Sequence, residues 1–280
     1  MIDIAGWLFA ALLLLALVLF VVLLQDRFIY FPLRYSRADL EEAQTLGVQE
    51  VKFRTAEGNQ TAFFWRCDDS EIAPRAVWLL FGGNGDVALA WMGLIRAFAD
   101  PDSGYLLIDY PGYGICGGRP NPKTILENAE RALETLQATK AWKLDGHVLC
   151  VLGHSLGGAA ALQFAANHLV RKILVVSTFT TMDDMVRAQI HIPLGRLLRH
   201  RFDNIAALKG ILSQKEVPEI IIFHGQADEI IPPRMGRALA DLNSGRIKYS
   251  EIPGAGHNDI FRTPLPLSLH SALFGPPAQK

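Results

Sequence analysis

The chain has 280 residues, a formal net charge of −1 and a hydrophobic fraction of 50%. This length suits one large domain with a short extra segment better than two full domains. The balanced charge provides no basic surface of the kind that nucleic acids bind, so we expect no nucleic-acid partner. The three cysteines match no zinc or Cys-x-x-Cys spacing, and the histidines form no ligand cluster, so we expect no metal.

The first part of the chain is strongly apolar. Residues 4–24 contain no charged side chain, and about 20 apolar residues are enough for a helix to cross a bilayer. A cleaved signal peptide is one alternative, but a basic start and a small-residue cleavage site are missing; a buried core helix is another. The pattern predicts a single-pass transmembrane anchor over residues 1–27 and a globular domain over residues 28–280.

The residues after the apolar run bear on its orientation. Aromatic residues at 28–31 suit a membrane interface, and the bilayer is therefore an expected partner. Arg27, Arg34 and Arg37 follow the run, whereas only the amino terminus precedes it. The positive-inside rule then favours a cytoplasmic location for the globular domain, and the opposite side stays open.

Strand-like and helix-like stretches alternate after residue 48. The strand-like runs are mostly apolar throughout and rich in β-branched residues, which is typical of strands buried on both faces of a parallel sheet. The alternation predicts an α/β fold with a mostly parallel eight-stranded sheet flanked by helices. The predicted strands cover residues 49–55, 61–67, 76–81, 105–110, 147–152, 172–177, 219–223 and 246–252. Helices are predicted to begin near residues 122, 159, 183 and 233.

The sequence G-H-S-L-G at residues 153–157 is the strongest chemical signal. It follows a predicted strand and precedes a helix-like run, which is the setting of a serine nucleophile at a sharp turn. Such a turn exposes the serine over a helix N-terminus, where developing negative charge is stabilised. The pattern predicts Ser155 as a nucleophile.

A serine hydroxyl needs a general base to become nucleophilic. In a strand–turn–helix setting of this kind, the acid and then the histidine follow the serine along the chain. Asp228 follows the predicted strand at 219–223, and His257 follows the strand at 246–252. We therefore predict His257 as general base and Asp228 as the acid that orients it, with Glu229 as the nearest competitor and His224 as a structural residue.

An oxyanion hole requires two backbone N–H groups. The first is expected from Leu156, which directly follows the nucleophile. The second is expected from the loop G-G-N-G-D at residues 82–86, where glycines allow a substrate to approach the backbone closely. Asn84 is the first choice for this donor and Gly83 the second.

The turn around Ser155 and the loops of Asp228 and His257 resemble those of the α/β-hydrolase superfamily. Other segments are similar to its Bem46-like branch, the membrane-anchored serine hydrolases that include ABHD13-like and ABHD17-like proteins. These segments are F-I-Y-F-P at 28–32, F-G-G-N-G at 81–85, D-Y-P-G-Y-G at 109–114 and G-H-N-D at 256–259. One departure is Gly82, because related sequences usually have histidine in its place. The resemblance runs from about residue 28 to residue 274 and implies an α/β-hydrolase fold.

The same resemblance implies hydrolysis of an ester, thioester or amide bond without a cofactor. We expect a carboxylesterase or acyl thioesterase that works through an acyl-enzyme and acts on a small acyl ester, a lipid or an acylated protein. A serine peptidase of small peptides and a catalytically silent membrane scaffold are the alternatives. Residues 178–217 are expected to form one or two short helices where a lid would lie.

Overall fold

The computed structural model describes residues 4–67, 72–98, 100–140, 142, 144, 148–191, 195–261 and 271–272. Eight strands form one sheet in the order β1-β2-β4-β3-β5-β6-β7-β8. The strands are β1 (Gln49–Thr55), β2 (Gly58–Arg66), β3 (Ala76–Phe81), β4 (Ser103–Ile108), β5 (Leu149–His154), β6 (Lys172–Val176), β7 (Glu219–Gly225) and β8 (Ile247–Ile252).

The sheet is mixed. Strand β2 pairs antiparallel with both β1 and β4, whereas the five pairings from β4 across to β8 are parallel. The prediction of a mostly parallel sheet therefore applies to its larger part, and the antiparallel part is the β1–β2 hairpin at one edge. Parallel strands place their carboxyl ends at one edge of the sheet, which is where α/β folds build their sites.

Helices and short 3-10 segments connect the strands. They are α1 (Ile4–Ile29), α2 (Arg37–Thr45), a 3-10 turn (Ala88–Trp91), α3 (Met92–Phe98), α4 (Pro122–Lys140), α5 (Leu156–Asn167), α6 (Met182–Ile190), a second 3-10 turn (Gly195–Leu197), α7 (Asn204–Leu212) and α8 (Pro233–Ala240). Helix α4 begins as predicted, because Asn121 Oδ1 accepts hydrogen bonds from the N–H groups of Lys123 and Thr124.

The core lies on both faces of the sheet, and β3 shows why. Its residues are all buried, and alternate side chains point to opposite faces. Val77 and Leu79 join an apolar cluster that includes residues of α4, α5 and α7, whereas Trp78 and Leu80 join a second cluster on the other face. Burial on both faces explains the uninterrupted apolar run in the sequence.

Strand β5 ends two residues later than predicted. The predicted strand stops with the apolar run at residue 152, but the ladder continues because Gly153 pairs with Val175 and His154 with Val176. The predicted start at residue 147 lies outside the described residues. The later end places Ser155 directly after the last residue of the strand.

Helix α1 ends differently from the predicted anchor. It continues past residue 27 to Ile29, and its last turns contact the domain: the Gln25 amide donates to Leu197 O at 3.1 Å and accepts from Arg199 N at 2.6 Å. Among the described residues, no helix combines the length and apolarity that crossing a bilayer requires. The predicted transmembrane helix therefore finds no support in the structure.

Two further helices lie where the sequence reading placed none. Helix α2 begins at a capping box in which the Ser36 side chain accepts from Asp39 N and the Asp39 carboxylate accepts from Ser36 N. Helix α3 follows the first 3-10 turn. The expected short helices between residues 178 and 217 are α6 and α7, and residues 192–194 of that segment lie outside the described residues.

Candidate active site

Ser155 occupies a strained turn between β5 and α5. Its backbone has φ 56° and ψ −120°, a conformation that non-glycine residues rarely adopt and that costs about 1–3 kcal/mol. Hydrogen bonds hold the turn, since Ser155 N donates to Val176 O at 2.9 Å and Ser155 O accepts from Thr178 Oγ1 at 2.9 Å. A sharp turn of this kind presents a serine hydroxyl at the end of the strand, where a nucleophile is needed.

The two glycines of the motif are dictated by close backbone contacts. A Cβ atom on Gly153 would lie 2.1 Å from Gly157 O, and one on Gly157 would lie 2.1 Å from Phe81 O. Both obstacles are backbone atoms, so no side-chain rotation would relieve them. The second contact also shows that the start of α5 lies against the end of β3, from which the predicted oxyanion loop departs.

The structure brings together the three residues predicted as a catalytic triad. Ser155 Oγ lies 2.9 Å from His257 Nε2, and His257 Nδ1 lies 2.8 Å from Asp228 Oδ2. An ionised carboxylate can only accept, so His257 Nδ1 carries a proton and Nε2 is left to accept the serine proton. All three residues are buried. This arrangement can activate a serine hydroxyl for attack on a carbonyl carbon.

The Asp228 carboxylate accepts three hydrogen bonds and lies close to a further histidine, His224. Its Oδ1 accepts from Ile230 N and Ile231 N, and its Oδ2 lies 3.3 Å from His224 Nε2 as well as near His257. Burial acts to raise the pKa of Asp228, but the bonds from His224, His257 and Ile231 outweigh it, and the pKa lies well below its usual range. Asp228 is therefore ionised at neutral pH.

His224 is a supporting residue, as the sequence reading proposed. It is fully buried, and its Nε2 also lies 2.8 Å from Ile231 O. A carbonyl oxygen can only accept, so Nε2 carries the proton that this contact requires. His224 thereby fixes the loop that presents Asp228. The competing acid, Glu229, makes no hydrogen bond to His257 among the described residues.

The predicted oxyanion loop lies beside the serine turn. Gly83, the second choice as donor, uses its N–H in a bond to Asp86 Oδ2 at 2.8 Å. Asn84 uses its carbonyl and its side-chain amide in other bonds, and its backbone N–H has no acceptor among the described residues. The N–H of Leu156, in the first turn of α5, likewise has none there. Of the three predicted donors, Asn84 and Leu156 thus have backbone N–H groups without an acceptor in the described part of the chain.

Sequence reasoning missed a second contact to the base. His154 is buried, its Nε2 lies 3.0 Å from His257 O, and its ring packs on that of His257 with centroids 4.9 Å apart. On its other side, His154 Nδ1 lies 4.0 Å from Asp86 Oδ2. The neighbouring His154 holds the pKa of Asp86 below its usual range. Only the position of His154 inside the G-x-S-x-G motif could have signalled this role.

No group of three or more His, Cys, Asp or Glu side chains is arranged for a metal ion in the described part of the chain. Cys116 and Cys150 are buried free thiols, and burial raises the pKa of each to about 12. Both thiols therefore remain protonated at neutral pH and are poor nucleophiles.

Comparisons with known proteins find similarity to α/β hydrolases. A sequence profile of the alpha/beta hydrolase family matches residues 78–210, which contain the oxyanion loop and the serine turn. The uncharacterized protein Rv2307c of Mycobacterium tuberculosis is 26% identical over 255 residues, covering 86% of this chain and 83% of that protein. Human alpha/beta hydrolase domain-containing protein 17B is 26% identical over 211 residues, covering 74% of this chain and 68% of that protein.

Solved structures share the fold. XC6422 from Xanthomonas campestris, described as a serine hydrolase without a lid, has a TM-score of 0.56 at 14% identity, with 81% of this chain and 91% of that chain covered. The thioesterase domain from the curacin biosynthetic pathway has a TM-score of 0.58 at 14% identity, with 80% of this chain and 98% of that chain covered.

Proposed function

We propose that the chain, which resembles ABHD17-like members of the α/β-hydrolase family, is a serine hydrolase that cleaves ester or thioester bonds. One observation carries the proposal: Ser155 Oγ, His257 and Asp228 form a continuous hydrogen-bonded chain with distances of 2.9 and 2.8 Å. The three residues come from three separate loops at the carboxyl ends of β5, β7 and β8. A purely structural role would not require a strained serine in line with a histidine and a carboxylate.

In the proposed reaction, His257 Nε2 takes the proton of Ser155 as its Oγ attacks the acyl carbon. The negative charge that forms on the carbonyl oxygen is stabilised by the N–H groups of Asn84 and Leu156. His257 then gives its proton to the departing alcohol or thiol, and an acyl-enzyme remains on Ser155. Water attacks this ester by the same route, with His257 again as base, and releases the carboxylic acid.

A small acyl ester, a lipid or an acylated protein is the proposed substrate class. Association with a lipid bilayer through α1 stays a prediction, as does the side of the membrane. Its support is the set of large apolar side chains that α1 exposes: Trp7, Leu8, Phe9, Leu12, Leu13, Leu15, Leu19, Leu23 and Phe28. Flotation of the full chain with phosphatidylcholine vesicles tests it. Recovery of the protein in the soluble fraction would contradict it.

Covalent labelling of the full chain tests the proposed chemistry. A fluorophosphonate probe should label the wild type and not Ser155→Ala, and the wild type should hydrolyse p-nitrophenyl esters and acyl thioesters. Ser103→Ala is the matched control, because Ser103 is a buried serine at the opposite end of the sheet. Well-folded wild type that neither labels nor turns over an ester, a thioester or a short peptide would overturn the proposal in favour of a silent scaffold.

A further inference from the structure

The end of helix α1 is bonded to the loop that supplies the proposed oxyanion donor. The Asn84 side-chain amide donates to Ile29 O at 3.1 Å, and Asn84 O accepts from Phe31 N at 2.9 Å. These contacts join residues more than 50 positions apart in sequence. Both hydrogen bonds are made by Asn84, whose backbone N–H is the proposed oxyanion donor.

Tyr113 completes this junction from a third segment. Its hydroxyl donates to Asn84 O at 2.6 Å and lies 3.1 Å from Phe31 N, which can donate to it. The ring is fully buried and packs edge-on against Tyr110, whose own hydroxyl donates to Gly82 O at 2.6 Å. Burial raises the pKa of Tyr113, so the hydroxyl keeps its proton and remains a donor.

The loop needs such bonds because its glycines allow many backbone conformations. Residues Gly82, Gly83 and Gly85 surround Asn84, and glycine reaches many backbone conformations at little cost. A rotation of the Gly83–Asn84 peptide plane would change the direction of the Asn84 N–H, which is the proposed oxyanion donor. The only bond that holds this plane's own carbonyl among the described residues is Asp86 N to Gly83 O, which is long at 3.4 Å.

We propose that the Asn84 side chain and the Tyr113 hydroxyl are positioning groups that fix the Asn84 N–H for catalysis by tying it to the backbone at residues 29–31. The end of α1 and the residues that follow it are then part of the active-site framework, in addition to connecting α1 to the domain. This inference rests on the proposed function, because it assigns the oxyanion donor of that reaction.

The test uses the full chain with Tyr113→Phe and Asn84→Ala. Each variant removes a tie to residues 29–31 and keeps the backbone N–H of Asn84. Tyr105→Phe is the matched control, since Tyr105 is also a buried tyrosine whose hydroxyl accepts a loop N–H, that of Asp100 at 2.9 Å, at the other end of the sheet. The measurements are kcat and KM for p-nitrophenyl acetate, the Ki of a trifluoromethyl ketone and the melting temperature.

A lost oxyanion donor costs about 10²–10³-fold in kcat, so a mispositioned one should cost roughly 10–100-fold, with KM changed less than about threefold. The Ki of the ketone, which forms a tetrahedral oxyanion on serine, should rise by a similar factor. The melting temperatures should match that of Tyr105→Phe. Active wild type with both variants as fast as the control would overturn this inference alone, whereas inert wild type would overturn the proposed function and this inference with it.

Discussion

His154 Nε2 lies 3.0 Å from the main-chain oxygen of His257, so the residue before the nucleophile holds the residue that supplies the base. A carbonyl oxygen only accepts, and the bond therefore requires a proton on His154 Nε2. Asp86 approaches the other ring nitrogen at 4.0 Å and also accepts the Gly83 N–H. His154 and Asp86 thus connect the loop of the base with the oxyanion loop.

Replacement of His154 with alanine should lower kcat about tenfold or more, because the backbone of His257 loses its donor and its ring loses a stacking partner. His154→Gln retains an N–H donor and should recover part of the activity. His168→Ala is the control, since it removes a histidine bonded to Glu130 at the far end of α5. Steady-state kinetics of the three variants measure this effect. A His154→Ala enzyme with the same kcat as His168→Ala would contradict the proposed support of His257 by His154.

The glycine at position 157 should not tolerate a side chain. In Gly157→Ala the new Cβ would lie 2.1 Å from Phe81 O and 2.4 Å from Gly82 O, both of them backbone atoms. We expect a loss of about 3 kcal/mol or more in the free energy of unfolding. Gly210→Ala is the matched control in α7, where nothing lies within 4 Å, and it should gain up to about 1 kcal/mol. Urea unfolding of both variants measures the contrast, and equal stabilities would contradict the proposed clash.

The sequence predicts eight strands and singles out the three residues that the structure brings together, because both features leave local signals. Two-sided burial gives apolar runs, and a tight strand–helix turn requires glycines around Ser155. The sequence favoured Asp228 over its neighbour Glu229 and left Glu229 open as a competitor, and the structure has Asp228 Oδ2 2.8 Å from His257 Nδ1. The bond of His154 to His257 was not predicted, since no sequence motif marks a contact between a side chain and the main-chain oxygen of a distant residue.

The prediction of helix ends from the sequence was limited in a similar way. The predicted anchor ended at residue 27, whereas α1 continues to Ile29, and Gln25 near its end is buried against the backbone of residues 197 and 199. No periodicity in the sequence reports such a contact. Helix α2 is different, since its capping box is visible in the sequence as Ser36 followed three residues later by Asp39.

Protonation of Asp228 should make the protein less stable in acid. Its pKa in the folded protein is depressed, so its contribution to stability is present above the unfolded pKa of about 3.9 and is lost as the pH falls below that value. Asp228→Asn lacks this contribution, and the stability difference between wild type and variant should shrink between pH 5 and pH 3. Urea unfolding at several pH values measures it, with exposed Asp241→Asn as control. A pH-independent difference would contradict the assignment.

The same variant should lose on the order of 10⁴ in kcat, because His257 loses the partner that fixes its tautomer.

Asp109 should have the opposite effect on stability. Burial raises its pKa to about 6, and the bonds from Ala88 N and Tyr35 Oη offset this only in part. Because its pKa is higher in the folded protein, Asp109 stabilises the folded state when the pH is below its unfolded pKa of about 3.9. This stabilisation is lost as the pH rises through the folded pKa of about 6. At neutral pH the ionised carboxylate therefore costs on the order of 3 kcal/mol relative to acid conditions.

Asp109→Asn cannot ionise and should remove this dependence. Between pH 4.5 and pH 7 the free energy of unfolding of the wild type should fall relative to that of the variant. Asp102→Asn, an exposed acid near the start of β4, should instead follow the wild type. Urea unfolding at pH 4.5, 5.5 and 7 gives the three curves. If the Asp109→Asn curve runs parallel to the wild type, Asp109 is ionised throughout this range and its burial is compensated by the bonds it accepts.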